Sequence, residues 1–116
     1  MSKELEKYNW SEWLNFPNPR KGEILKAPFG YGVYQLKNLS KGELILFGKG
    51  NNCAHRMTSL LPKPFGCGRR NNDLKREYVL ENLSSIMYRT ISFLNSEDMN
   101  RTEKEIKKMK IHKYNT

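Results

Sequence analysis

Long apolar runs are missing from this chain. No stretch approaches the roughly 18 consecutive apolar residues that a membrane-spanning helix needs, and the opening MSKELEKYNW is too polar for a secretory signal. Both absences point to a cytoplasmic protein without a membrane partner. Cysteine is scarce: Cys53 and Cys67 are the only two. That is too few for a disulfide framework, and in a reducing compartment both are expected as free, partly buried thiols. With His55 and His112 they supply the elements of a zinc site but no recognised ligand spacing. Neither a serine triad nor a phosphate-binding P-loop is recognisable, and no internal repeat or low-complexity tract is present. Acidic residues are short relative to basic ones, 12 against 21, giving a net charge of +9 and a pI near 9.7. Such a surface favours a polyanionic partner, because basic groups that neutralise phosphates release condensed counterions. Nucleic acid fits that better than a membrane surface.

What is present makes one folded domain. The 116 residues are 37% hydrophobic and 11% aromatic, enough for one modest core, while a mean hydropathy of −0.80 requires a strongly polar surface. Residues 1–29 read as an N-terminal helix and linker docking on the domain formed by 30–116. Tyr8, Trp10, Trp13 and Leu14 stand among charges as an amphipathic helix would have them, and Pro17 and Pro19 stop it.

The rest is organised around Gly32 to Arg56. Gly32-Val33-Tyr34-Gln35-Leu36-Lys37-Asn38 reads as a strand, closed by the turn formers Asn38, Ser40 and Gly42. Leu44-Ile45-Leu46-Phe47 is apolar without alternation, as expected of a central strand covered on both faces. Gly48-Lys49-Gly50 ends it. Asn51 or Asn52 can cap a helix whose apolar positions are Cys53, Met57, Leu60 and Leu61, and Arg56 falls within that stripe, where a cation needs a reason. Pro62, Pro64, Gly66 and Gly68 mark a loop, and Asn71, Asn72 or Asp73 can cap a helix over Leu74–Leu83. Ser85–Phe93 alternates like a half-exposed antiparallel strand. Asn95 or Ser96 caps a last helix with Glu97 and Asp98 in its first turn and Lys107, Lys108 and Lys110 at its end, the signs that suit a helix dipole. The expected fold is α/β, a small three-stranded, mainly antiparallel sheet flanked by helices.

Four short motifs in this order resemble the GIY-YIG nuclease superfamily. Gly32-Val33-Tyr34 stands for its first strand motif and Leu46-Phe47-Gly48-Lys49 for its second. Arg56 follows Leu46 at the spacing seen in the nuclease domain of an excinuclease of that superfamily, and Glu103 precedes a terminal Tyr114-Asn115. The resemblance covers about residues 30–116. It departs where the second motif's tyrosine is Leu46, and where a residue often histidine is Leu60, with His55 beside Arg56 instead. It implies a metal-dependent endonuclease hydrolysing DNA phosphodiester bonds with Mg²⁺ or Mn²⁺ and no small-molecule cofactor. The alternative is a nucleic-acid binding module that kept the fold and lost turnover. A protein-interaction domain using Trp10 and Trp13 is a third reading.

Candidate residues follow from the pattern and the resemblance together. Met99, Ile106 and Met109 mark the buried stripe of the last helix, and Glu103 falls on it. A carboxylate there is costly unless it pairs with a cation, Arg56 being one candidate, or holds a metal. The resemblance makes it the metal ligand, and carboxylate plus water suits Mg²⁺. Tyr34 is a core tyrosine by composition and a general base by resemblance, provided that neighbouring cations such as Lys49 and Arg56 assist it. Arg56 would hold the scissile phosphate, Lys49 would contact phosphate or remain a solvated turn residue, and Asn115 would help to position the site. Arg69, Arg70, Lys75, Arg76 and Arg89 are candidates for a phosphate-tracking surface or for dispersed solvated charges.

Overall fold

A computed structural model describes residues 5–17, 21–58 and 74–114. Strand β1 is Leu14–Asn15, β2 Gly32–Asn38, β3 Glu43–Gly50 and β4 Ile86–Ser92; helix α1 is Cys53–Met57, α2 Leu74–Glu81 and α3 Ser96–Met109. The strands form one antiparallel sheet in the order β1-β4-β2-β3. The architecture is thus a small α/β domain with four strands and, among the described residues, three α-helices.

The β2–β3 hairpin forms where turn chemistry places it. Asn38 Oδ1 accepts from the Lys41 N–H at 3.2 Å, and Gly42 takes a φ of 61°, a left-handed conformation that costs glycine little. The register slips once: Leu36 opposes Leu46 while Lys37 opposes Leu44, leaving Ile45 as a bulge. The bulge sends Ile45 and Leu46 into the same core as Tyr34 and Leu36, whereas Leu44 and Phe47 join Val33 on the other face. The unbroken apolar run of β3 therefore serves two cores.

One core lies between the sheet and α1 and α2, and holds Tyr34, Leu36, Leu46, Cys53, Met57, Val79 and Tyr88. The other lies under α3 and the N-terminal segment, and holds Leu5, Val33, Phe47, Met99 and Ile106. Burial in the first core pushes the Cys53 thiol up to about 12, so this cysteine is an inert, buried thiol. Cys67 lies outside the described residues.

Three sequence expectations are corrected. The N-terminal segment is not an amphipathic helix among its described residues. Leu5–Lys7 is a single 3-10 turn, and Leu14–Asn15 adds a fourth strand by pairing with Tyr88 and Met87. β3 is an edge strand rather than the central one. Its outer side is covered as far as Leu46 by the C-terminal segment, where the Lys113 and Tyr114 N–H groups donate to Leu44 and Ile45 carbonyls at 3.0 and 2.8 Å. β4 is antiparallel as expected but covered on both faces, with Tyr88 in one core and Arg89 and Ile91 buried on the other side.

The C-terminal segment also carries a buried histidine. Lys110 closes α3 in a left-handed conformation, and the chain returns to lay His112 against Phe47 and Gln35. Arg89 Nε donates to Gln35 Oε1 at 2.8 Å, so the Gln35 amide nitrogen is left to donate to His112 Nε2 at 2.9 Å. That arrangement needs neutral imidazole. Burial, with the Arg89 guanidinium nearby, pushes His112 down from 6.5 to about 4. The unfolded chain takes up this proton near its ordinary pKa while the folded chain refuses it until about 4. The stabilising difference is complete above the unfolded value and is lost as pH falls towards the folded one, by up to about 3 kcal/mol. Denaturant unfolding of the parent and of His112→Phe at pH 7 and pH 4.5 checks this. The parent is expected to lose markedly more stability on acidification, and equal losses would show that His112 is not the group responsible.

Candidate active site

Three of the candidates, Tyr34, Lys49 and Arg56, gather about Gly48-Lys49-Gly50, the last residues of edge strand β3. Gly32, Gly48 and Gly50 all stand on the α1 face of the sheet, because Gly32 opposes Gly50 and Gly48 opposes Tyr34 across the hairpin. Each clears space for a neighbour. A Cβ on Gly48 would sit 2.3 Å from the Tyr34 hydroxyl oxygen, one on Gly50 would sit 2.9 Å from Arg56 Cβ, and one on Gly32 would sit 2.7 Å from Cys53 Cβ. Those approaches are closer than carbon atoms tolerate. The glycines therefore let the Tyr34 ring lie over Gly48 and let the first turn of α1 settle on the strand end.

Asn52 accepts from the His55 N–H at 3.1 Å and starts α1 as the capping signal anticipates. Cys53 and Met57, one turn apart, take the buried stripe. Arg56 is exposed rather than directed at the core, because a residue one position before Met57 is turned about 100° from it. A positive side chain is thus based at the surface beside Gly50. Tyr34 itself is only 1% exposed.

The other candidates lie across the sheet. Lys49 opposes Val33 on the α3 face, and its Nζ donates to Asn100 Oδ1 at 2.6 Å. Glu103 follows one turn later on α3, half-buried between the levels of Met99 and Ile106. Among the described residues no ion pair joins Glu103 to Arg56 and no hydrogen bond reaches its carboxylate. A half-buried carboxylate left so has capacity for a ligand. The sheet thus brings Tyr34 and Arg56 to one side of the β3 tip and Lys49 to the other, with Glu103 on α3 one turn beyond the Asn100 that holds Lys49. Asn115 lies outside the described residues, although its neighbour Tyr114 bridges to Leu46.

No group of three His, Cys, Asp or Glu side chains able to cage a metal occurs among the described residues. Cys53 is buried under α1, whereas His112 lies on the opposite face with Phe47, so the zinc arrangement does not form among them. One carboxylate fits a different use: Mg²⁺ commonly takes one or two carboxylates, several waters and substrate phosphate oxygens.

The phosphate-tracking surface is corrected at one position. Arg89 is 3% exposed, holds both Glu6 carboxylate oxygens at 3.1 Å, and lies between the Trp10 and Trp13 rings at 4.3 and 4.4 Å. It is a buried, paired cation that fastens the N-terminal segment to the sheet. The two tryptophans cover this arginine and Lys37 rather than forming a helical face. Lys75 and Arg76 lie in the first turn of α2, and Arg69 and Arg70 lie outside the described residues.

A further signal in the sequence reinforces the basic side. Between Ile24 and Asn72 the only acidic residue is Glu43, against Lys26, Lys37, Lys41, Lys49, Arg56 and the basic residues beyond them. Glu43 sits opposite Asn38, at the far end of the hairpin from Gly50. The β3 tip and α1 therefore carry positive charge without an acidic residue of their own.

Comparison with protein-family models, with curated proteins and with solved structures found no match.

Proposed function

We propose that this chain is a cytoplasmic, metal-dependent endonuclease that hydrolyses DNA phosphodiester bonds at the tip of β3. The observation that supports it most is the seating of Tyr34 on Gly48 and of Arg56 on Gly50 from one face, while Lys49 between them is held by Asn100 from the other. A sheet is one strand thick at its edge, so a phosphate lying along it is within reach of groups on either side. In this reading Arg56 holds the phosphate with its guanidinium donors. Lys49, aimed by Asn100, adds a point charge. Tyr34 would act as its phenolate, taking the proton of the attacking water onto its oxygen and becoming the neutral phenol. Mg²⁺ or Mn²⁺ held by Glu103 and the substrate phosphate would neutralise charge on the leaving oxygen.

One observation favours the second reading, a DNA-binding module without turnover. Tyr34 is 1% exposed and its ring is seated on Gly48, so the hydroxyl meets water only if the tip opens. The two readings share the basic surface and separate on cleavage.

Both readings predict that DNA affinity falls steeply with salt. With an arginine and several lysines on phosphates, the slope of log K against log salt should be about −0.9 for each phosphate neutralised. Fluorescence anisotropy of a labelled duplex across a salt series is expected to show a slope of several units. A flat dependence would remove DNA as the partner.

A further inference from the structure

The backbone on either side of Phe29 is held in place, and yet Phe29 is 83% exposed. The carbonyls on both sides of it are tied to α1: the Ala54 N–H donates to the Pro28 oxygen at 2.8 Å, and the Cys53 N–H to the Gly30 oxygen at 3.0 Å. One residue on, the Phe93 N–H donates to the Tyr31 oxygen at 2.9 Å and ties the same loop to the end of β4. A lone exposed apolar side chain is ordinary on a protein surface. An aromatic ring on a loop bolted to the helix that carries Arg56 is less so, because its position relative to that cation is set by backbone hydrogen bonds.

The surroundings define what the ring can meet. Arg56 and His55 are exposed on α1, and Lys26 is exposed upstream. Leu94, 98% exposed, stands at the same end of the sheet but is followed by Glu97 and Asp98 in the first turn of α3. Asp98 is paired with Arg101 and Glu97 stands beside it, so Leu94 lacks the basic neighbours without acidic ones that Phe29 has in the α1 sequence. A flat ring beside positive charge is the combination that binds single-stranded nucleic acid, the cations following the backbone and the ring taking a base.

Resting on the nucleic-acid reading above, we propose that Phe29 is a stacking platform for an unpaired base, so that this domain prefers DNA with a displaced or unpaired nucleotide over a continuous duplex. A paired base has both faces covered by its neighbours and offers Phe29 nothing, while an unpaired base at a gap offers a free face. The ring selects structure rather than sequence, since every base has such a face.

The test is anisotropy with two labelled DNAs of equal length, one fully paired and one with a short gap carrying 2-aminopurine, against the parent, Phe29→Ala and Phe29→Tyr. The parent is expected to bind the gapped DNA more tightly and to quench its 2-aminopurine. Phe29→Ala should lose roughly 5- to 100-fold on gapped DNA with little change on paired DNA, and Phe29→Tyr should restore both preference and quenching. Salt-sensitive binding of both DNAs, unchanged in Phe29→Ala, would overturn the stacking role and leave the DNA reading standing. Absence of salt-sensitive binding by the parent would overturn both.

Discussion

Glu103→Gln is expected to abolish metal-dependent nicking while the fold stands. The substitution keeps the shape of a half-buried side chain on α3 and removes only its charge. With no ion pair or hydrogen bond to that carboxylate among the described residues, little internal structure depends on it. Stability should therefore move by no more than about 0.5 kcal/mol, the range of substitutions away from buried networks. The rate should fall far more. A metal that neutralises developing charge supplies several kcal/mol, on the order of 10³-fold or greater. Thermal unfolding and nicking with Mg²⁺, measured on the same preparation, check both halves. A variant that nicks like the parent would show that Glu103 is not the metal ligand, and one that unfolds with no change in metal response would make its carboxylate a structural partner.

Tyr34→Phe separates the enzyme from the binding module. The ring is seated on Gly48 inside the α1-side core, and phenylalanine keeps that packing. Losing the hydroxyl and its hydrogen bond should cost about 1 kcal/mol. DNA affinity should barely change, because Arg56 and Lys49 keep their positions. A general base contributes on the order of 10² to 10⁴ in rate, so cleavage should drop towards background. Nicking within a few-fold of the parent would end the case for Tyr34 as base.

Local signals made much of this domain legible. The hairpin followed from Asn38 and Gly42, α1 from Asn52 and the Cys53 to Met57 spacing, and α3 from its cap and end charges, because each element is specified within a few residues. What escaped the sequence depends on partners far along the chain. Arg89 looked like a surface cation because Glu6, which neutralises it, lies 83 positions away. Trp10 and Trp13 looked like a helical face because nothing nearby shows that they enclose that arginine. β3 looked central because its apolar run anticipates cover on all sides, and the C-terminal segment supplies that cover in place of another strand.

The candidate site was legible as residue types and only partly as geometry. Sequence spacing gathers Tyr34, Lys49, Arg56 and Glu103 into one list, whereas the sheet puts Tyr34 and Arg56 on its α1 face and Lys49 on its α3 face, with Glu103 on α3 itself. The glycines in the motifs gain a physical role from the structure. Gly32, Gly48 and Gly50 are the positions where Cys53, Tyr34 and Arg56 come too close for any side chain.

Relaxation of supercoiled plasmid, with and without Mg²⁺ or Mn²⁺, tests the central claim most directly. The parent is expected to nick the plasmid only with the metal present, and chelation to stop the reaction. Salt-sensitive binding of the same plasmid with no metal-dependent nicking would contradict the nuclease reading and leave a DNA-binding module.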